Sequence, residues 1–264
     1  MEGRGPAPIT ALTPRLRPPE SDPPRLGVIA LATDLTFERD AARLIGCDEA
    51  TVHVARIPFE NPTTPESLRA MGPRIAAAAG LLVPGASLAA VAFACTAASV
   101  TIRNAVVRAA IAEVRPEVPV LTPTSAGVAA LRALGARRIA LLTPYLAETT
   151  APMVGFFEAA GFRVVRVGCF GLADDRDMAR LDHASLIEAA VALDGPDVEA
   201  VFLSCTAMPS LEVIEAIEAR LGKPAVGSNQ ATLWAMRALA GLPAGPLGVG
   251  RLLSLPGPDA DTWR

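Results

Sequence analysis

The chain has 264 residues, 51% of them hydrophobic and 19% charged, with a formal net charge of −3. That length accommodates one large or two medium α/β domains, and the near-neutral charge argues against an electrostatic footprint for nucleic acid. Four cysteines without CxxC spacing and only two histidines speak against a zinc site, so no metal is expected.

No apolar run is long enough to span a membrane without interruption by Pro, Gly or charge, and the first residues carry no apolar signal core. The expected setting is cytoplasmic, where structural disulfides have little place.

Residues 1–24 are rich in Pro, Arg and Gly and lack apolar periodicity, which predicts a disordered or extended arm. The fold is expected to begin at Arg25. Residues 26–32 form a continuous apolar run, as a buried parallel strand does. Residues 38–45 read as a helix that Asp34 or Thr36 could cap. Asp34 has a second reading, as a carboxylate at a strand's carboxyl end facing a cleft. Residues 51–58 form the second strand, with His53 as a satisfied structural histidine and Arg56 near a pocket rim. Thr64-Pro65-Glu66 opens a helix that runs to about residue 79.

The third strand ends at Cys95, and a helix is expected over about 99–114. A short strand at 118–122 and a helix from Thr124 follow, with the boundary between half-molecules near this point. The rhythm then repeats. A strand at 138–143 ends in Pro144-Tyr145-Leu146; Tyr145 is the only tyrosine, and its phenol can donate to a bound carboxylate. A helix over 149–160 stops at Gly161. The strand over 162–170 contains Cys169, read as core. An acidic loop at 171–177 includes Asp175, and a helix covers 185–193. The strand ending at Cys205 is followed by a helix over 211–221 and a strand at 224–228. Ser228-Asn229 caps a last helix over 230–239, expected to return onto the first half, with the tail docked by Leu252 and Leu253.

The chain's organising feature is a repeat. Val91-Ala92-Phe93-Ala94-Cys95-Thr96 and Val201-Phe202-Leu203-Ser204-Cys205-Thr206 are each an apolar run that stops at Cys-Thr. A cysteine there lies at the carboxyl end of a strand, where open α/β sheets place their ligands, and near a helix N-terminus, whose field favours a thiolate. Free cysteine is also among the most buried residue types, so packing alone is the bland alternative. Two copies favour a paired site. The expected architecture is α/β: two pseudo-symmetric, doubly wound halves with mainly parallel sheets and the active site in the cleft between them. The first half would comprise 25–121 plus 228–264, the second 122–227.

These motifs resemble the aspartate/glutamate racemase superfamily, and in particular its maleate cis–trans isomerase and arylmalonate decarboxylase branch. Leu31-Ala32-Thr33-Asp34-Leu35-Thr36-Phe37-Glu38 is similar to the branch's first strand-to-helix turn. Thr143-Pro144-Tyr145 is similar to its tyrosine segment, and Ser204-Cys205-Thr206 to its second cysteine motif. The turn at Asp34 most resembles the ectoine-utilisation members. The resemblance implies Cys95 and Cys205 as the catalytic pair, and Thr96, Tyr145 and Thr206 with nearby N–H groups as a carboxylate cradle. Decarboxylases of the branch keep one of the two cysteines, so the pair implies racemase or isomerase chemistry. Maleate isomerases carry Asn where this chain has Asp34 and, in a looser alignment, Asp175. An ionised carboxylate cannot donate to a second carboxylate but would welcome an ammonium group.

No cofactor motif is present, neither GxGxxG nor GxxxxGK, so the chemistry is expected to come from thiols and fixed dipoles. In racemisation one cysteine takes the α-proton and the other returns one to the opposite face. In cis–trans isomerisation a cysteine adds to the double bond. A decarboxylase and a two-lobed ligand-binding protein are the other readings. The expected partners are a small carboxylate substrate and further copies of the chain, with no nucleic acid and no membrane.

Overall fold

The apolar runs form two separate four-stranded parallel sheets, one per half. The computed structural model describes residues 9–18 and 21–263. The arm expected over 1–24 falls partly outside them, at 1–8 and 19–20. Residues 9–18 carry no regular secondary structure, and Ile9, Leu12 and Leu16 are exposed.

The first half runs β1 (Arg25–Leu31), α1 (Phe37–Leu44), β2 (Thr51–Ile57), α2 (Pro65–Arg69), α3 (Ile75–Gly80), β3 (Ala90–Ala94), α4 (Thr96–Ile102), α5 (Asn104–Ala112) and β4 (Val120–Leu121). After α6 (Pro123–Ala133) the second half runs β5 (Arg138–Tyr145), α7 (Ala147–Ala159), β6 (Arg163–Leu172), α8 (Asp175–Met178), α9 (His183–Ala192), β7 (Ala200–Leu203), α10 (Ile214–Leu221) and β8 (Ala225–Gly227). The helix α11 (Ser228–Leu239) closes the fold. Strand orders are β2-β1-β3-β4 and β6-β5-β7-β8, all pairings parallel, so the halves share one topology.

Central strands show why they read as unbroken apolar runs. β3 and β7 are buried along their whole length because helices cover both faces of each sheet. β6 is an edge strand with exposed positions throughout, and this corrects one expectation: Cys169 is exposed, not core. His53 also differs, since its Nε2 is buried with no hydrogen-bond partner.

Three helices are shorter than their periodicity predicts. The helix from Thr64 breaks at Gly72-Pro73 into α2, a 3-10 turn (Gly72–Arg74) and α3, because proline removes an intrahelical donor. The helix after Cys95 begins at Thr96 and breaks at Arg103, whose φ is +81°. Past that break Asn104 accepts from the Thr122 and Thr124 hydroxyls, which fixes the start of α5. Beyond Cys205 a turn and a short 3-10 segment (Ser210–Glu212) precede α10; Pro209 disfavours helix in the residue before it.

The apolar interior forms two clusters, and each draws on both sheets. One joins Ile29 and Phe93 to Leu142 and Val201; the other joins Val28 and Ala92 to Leu141 and Phe202. α11 packs against α1 and α6. Its buried Arg237 pairs with Glu49 at 2.9 Å and donates to the Leu44 carbonyl at 2.5 Å.

Candidate active site

In each sheet the chain leaves the first strand on one side and returns on the other, so β1/β3 and β5/β7 are switch points, where α/β folds place ligands. Asp34 follows β1 and Cys95 follows β3. Tyr145 ends β5, and Cys205 follows β7 by two residues. All four line one enclosed cavity of about 20 Å³, together with Asp175 and Thr206. The fold thus brings six of the seven proposed site residues to one cavity. Thr96 stands behind it: its hydroxyl donates to Ser228 at 3.0 Å and lies in reach of the Tyr145 hydroxyl. Larger surface grooves exist, such as one of about 740 Å³ beside Arg108 and Trp263, but they lie away from both cysteines.

The two thiols sit in different surroundings. Cys95 is the N-cap residue of α4. Burial pushes its pKa far up; the Ala98 N–H offsets part of this, while Cys205, Asp175 and Asp34 add to it. Burial also raises Cys205, but only to about 12, because the Tyr145 hydroxyl and the Met208 and Ala207 amides stabilise its charged form. The Ala207 N–H donates to its sulfur at 3.3 Å. Tyr145 is itself pushed up, first by burial and then by the two thiols, so its phenol keeps its proton to donate.

The acids line the same cavity. Asp34 accepts from the Thr36 and Phe37 amides at 2.9 and 2.8 Å, so it holds the turn into α1 and still faces the cavity. Burial raises its pKa to about 6 against the pull of those amides and Arg56. Arg56 itself turns away, donating to the Leu31 and Asp34 carbonyls and to Glu38. Asp175 accepts from Asn61 at 2.8 Å and from the Thr33 hydroxyl. No Lys, Arg or His is among the described residues lining this cavity.

A strap closes the cleft. Asn61 also donates to Asp174 at 2.8 Å, the Thr63 amide donates to the Ala173 carbonyl at 2.7 Å, and the Thr149 hydroxyl donates to the Thr63 carbonyl at 3.0 Å. A cavity of about 20 Å³ holds roughly one water, so a ligand enters only when this lining moves. Sequence reasoning passed over Asn61 and Thr63, although a signal existed. The cysteines are 110 residues apart, and the same offset from Asp175 leads to the segment around Asn61.

The backbone after Cys205 is held from the first half. The Thr206 hydroxyl donates to the Ala94 carbonyl at 3.3 Å, next to Cys95. The Thr36 hydroxyl donates to the Ala207 carbonyl at 2.7 Å. Asn229 donates to the Thr206 carbonyl and to buried Asp40, both at 2.8 Å.

Twin parallel α/β halves with one strand-end thiol from each, facing across a shared cavity, define a class of two-thiol fold. The family model for arylmalonate decarboxylase matches residues 64–253, and the chain belongs to that family. It is similar to a maleate isomerase of Nocardia farcinica, 35% identical over 136 residues, covering 50% of this chain and 54% of the relative. The chain spans about half the length of the first curated relatives it matches. Solved structures align more fully. A cysteine-to-alanine variant of the maleate isomerase Iso from Pseudomonas putida S16, with maleate, superposes with a TM-score of 0.80 at 27% identity, covering 88% of this chain and 97% of that one. A cysteine-to-serine variant of the Nocardia farcinica maleate cis-trans isomerase, with a covalently bound succinylcysteine intermediate, gives a TM-score of 0.79 at 26% identity, covering 88% and 98%.

Proposed function

We propose that this protein is a cofactor-independent isomerase of small carboxylates in which Cys95 and Cys205 carry the chemistry. One observation supports this above the rest: both thiols line the same enclosed cavity at equivalent strand ends. Cys205 is the thiol that ionises more readily, since Tyr145 and two backbone amides stabilise its charge. Tyr145, the Thr206 amide and the first N–H groups of α4 hold the substrate carboxylate, and the same donors stabilise the enolate-like charge that develops on it.

In the finer reading the substrate is an amino acid, with an ectoine-derived diamino acid the first to test. The Cys205 thiolate removes the α-proton on one face and the Cys95 thiol donates its proton on the other, inverting the centre. Asp34 and Asp175 support this reading: two carboxyl groups with no cation among the described lining would repel a dianion and attract an ammonium group.

Cis–trans isomerisation is the second reading, favoured by the succinylcysteine described for the Nocardia farcinica relative. A thiolate adds to one alkene carbon, the electron pair moves toward the conjugated carboxylate, the resulting single bond rotates, and the thiolate leaves.

Incubation with amino acids and unsaturated diacids in deuterated water separates the readings. Racemisation with α-deuterium incorporation supports the first. Conversion of maleate to fumarate by the wild type supports the second and removes the charge argument. Neither reaction across the panel overturns the proposed activity.

A further inference from the structure

The turn that follows Cys205 is gripped at two successive peptide groups. The Thr206 carbonyl shares a rigid, planar peptide with the Ala207 N–H, and the Ala207 carbonyl shares the next with the Met208 N–H. Asn229 Nδ2 donates to the first carbonyl at 2.8 Å, and Thr36 Oγ1 donates to the second at 2.7 Å. On the far side of the first peptide the Ala207 N–H meets the Cys205 sulfur at 3.3 Å. The Met208 amide is the second backbone donor acting on that sulfur.

Asn229 gives its other amide hydrogen to Asp40 at 2.8 Å, while its own Oδ1 is buried without a partner. Leaving a buried acceptor unpaired costs free energy, so this amide is oriented for what it donates. Behind Cys95 the support is local: the one peptide whose N–H acts on that sulfur, between Ala97 and Ala98, has its carbonyl held by the Thr101 hydroxyl at 2.9 Å, one turn further along the same helix.

We infer that Thr36 and Asn229 are positioning residues for Cys205: they hold the carbonyl ends of two consecutive peptides, and so fix and polarise the two N–H groups that receive the charge when its sulfur ionises. Donors on the carbonyl of a peptide strengthen what its N–H gives, as in any hydrogen-bonded chain. Both residues touch the turn only through its backbone, so neither contacts substrate. The inference rests on the reading of Cys205 as the ionising thiol.

The test compares the two thiols of one cavity. In a Cys47→Ser/Cys169→Ser background, initial iodoacetamide alkylation rates at Cys205 and Cys95 are read by peptide mass spectrometry at one mildly alkaline pH. Both thiols share one route of access, so their ratio cancels any loosening of the site. Thr36→Val and Asn229→Ala should each lower the Cys205-to-Cys95 ratio about fivefold, the equivalent of one neutral hydrogen bond of about 1 kcal/mol. Thr36→Ser should keep the parent ratio. Thr232→Val, which deletes another buried hydroxyl of α11, bonded to the Ser228 carbonyl at 2.8 Å, should lower the melting temperature without moving it. An unchanged ratio in Thr36→Val, or an equal fall in Thr232→Val, overturns the inference. Thr36→Val keeps the side chain's shape and carries the test if Asn229→Ala fails to fold. Turnover that survives Cys205→Ala would instead overturn the proposed function and leave the alkylation result standing.

Discussion

The two cysteine turns have the same sequence, Cys-Thr after an apolar strand, and different physics. Cys95 passes directly into α4, and its sulfur has one helix amide for company. Cys205 passes into a turn that delays the next helix, and its sulfur has two amides and a phenol. A duplicated motif therefore does not make a symmetric pair. The half that breaks its helix curls two successive N–H groups onto its sulfur, whereas α4, whose first-turn amides are also free of intrahelical partners, brings only the Ala98 N–H to Cys95.

Removing the sulfurs should have the largest effect. Cys205→Ala and Cys95→Ala should each lower turnover by about a hundred- to ten-thousandfold, the range of a lost general acid or base. Full turnover in Cys95→Ala would reduce the chemistry to one thiol. With Cys205 raised to about 12, its thiolate is scarce near neutrality, so kcat/KM should climb about tenfold per pH unit on the alkaline side of neutral. A flat profile there would mean that the thiolate is not the working form.

The next effect sharpens the comparison from behind the Cys205 turn. Asp40, under Asn229, has its pKa raised to about 7 by burial. Its folded-state pKa lies above the unfolded value, so the native state holds the proton longer, and stability falls as pH rises from about 4 to 7. Asp40→Asn should remove that slope and exceed the wild type at pH above 7 by on the order of 4 kcal/mol in urea unfolding. Equal slopes in the two proteins would contradict it.

Asp34→Asn tests the acids of the cavity. Loss of a charged hydrogen bond should weaken an amino-acid ligand by about 1.5–3 kcal/mol, and maleate should gain. Calorimetry against maleate and 2,4-diaminobutyrate checks this, and tight maleate binding that is the same in both proteins would sink it. The smallest effect is expected at the strap. Asn61→Ala deletes donors to Asp174 and Asp175, and should speed alkylation of both cysteines equally while lowering stability by about 1 kcal/mol.

Much of this was legible beforehand. Buried parallel strands announce themselves as unbroken apolar runs, so the strand-end places of Cys95, Tyr145 and Cys205 followed from sequence alone. What escaped reading was long-range. Cys169 looks apolar, and only the strand order shows that β6 lies at an edge. Thr96 was expected in the cradle on the family resemblance, and its hydroxyl turns to Ser228, 132 positions away. Asn229 and Asp40 are 189 positions apart, and nothing local marks either as a neighbour of Cys205.

The two apolar clusters, each threaded through both sheets, have a mechanical consequence. A two-lobed protein with a private core in each lobe can swing open about a hinge. Here a swing would pull α4 away from α7, and α11 away from α1 and β3. Parting two such layers exposes apolar area at about 25 cal/mol per Å², whereas the strap at Asn61 and Thr63 is held across the cleft by a few hydrogen bonds, each worth about 1 kcal/mol net. Traffic into the cavity should therefore peel the strap and leave the two lobes in place, so that the thiols keep their setting while the door opens and shuts.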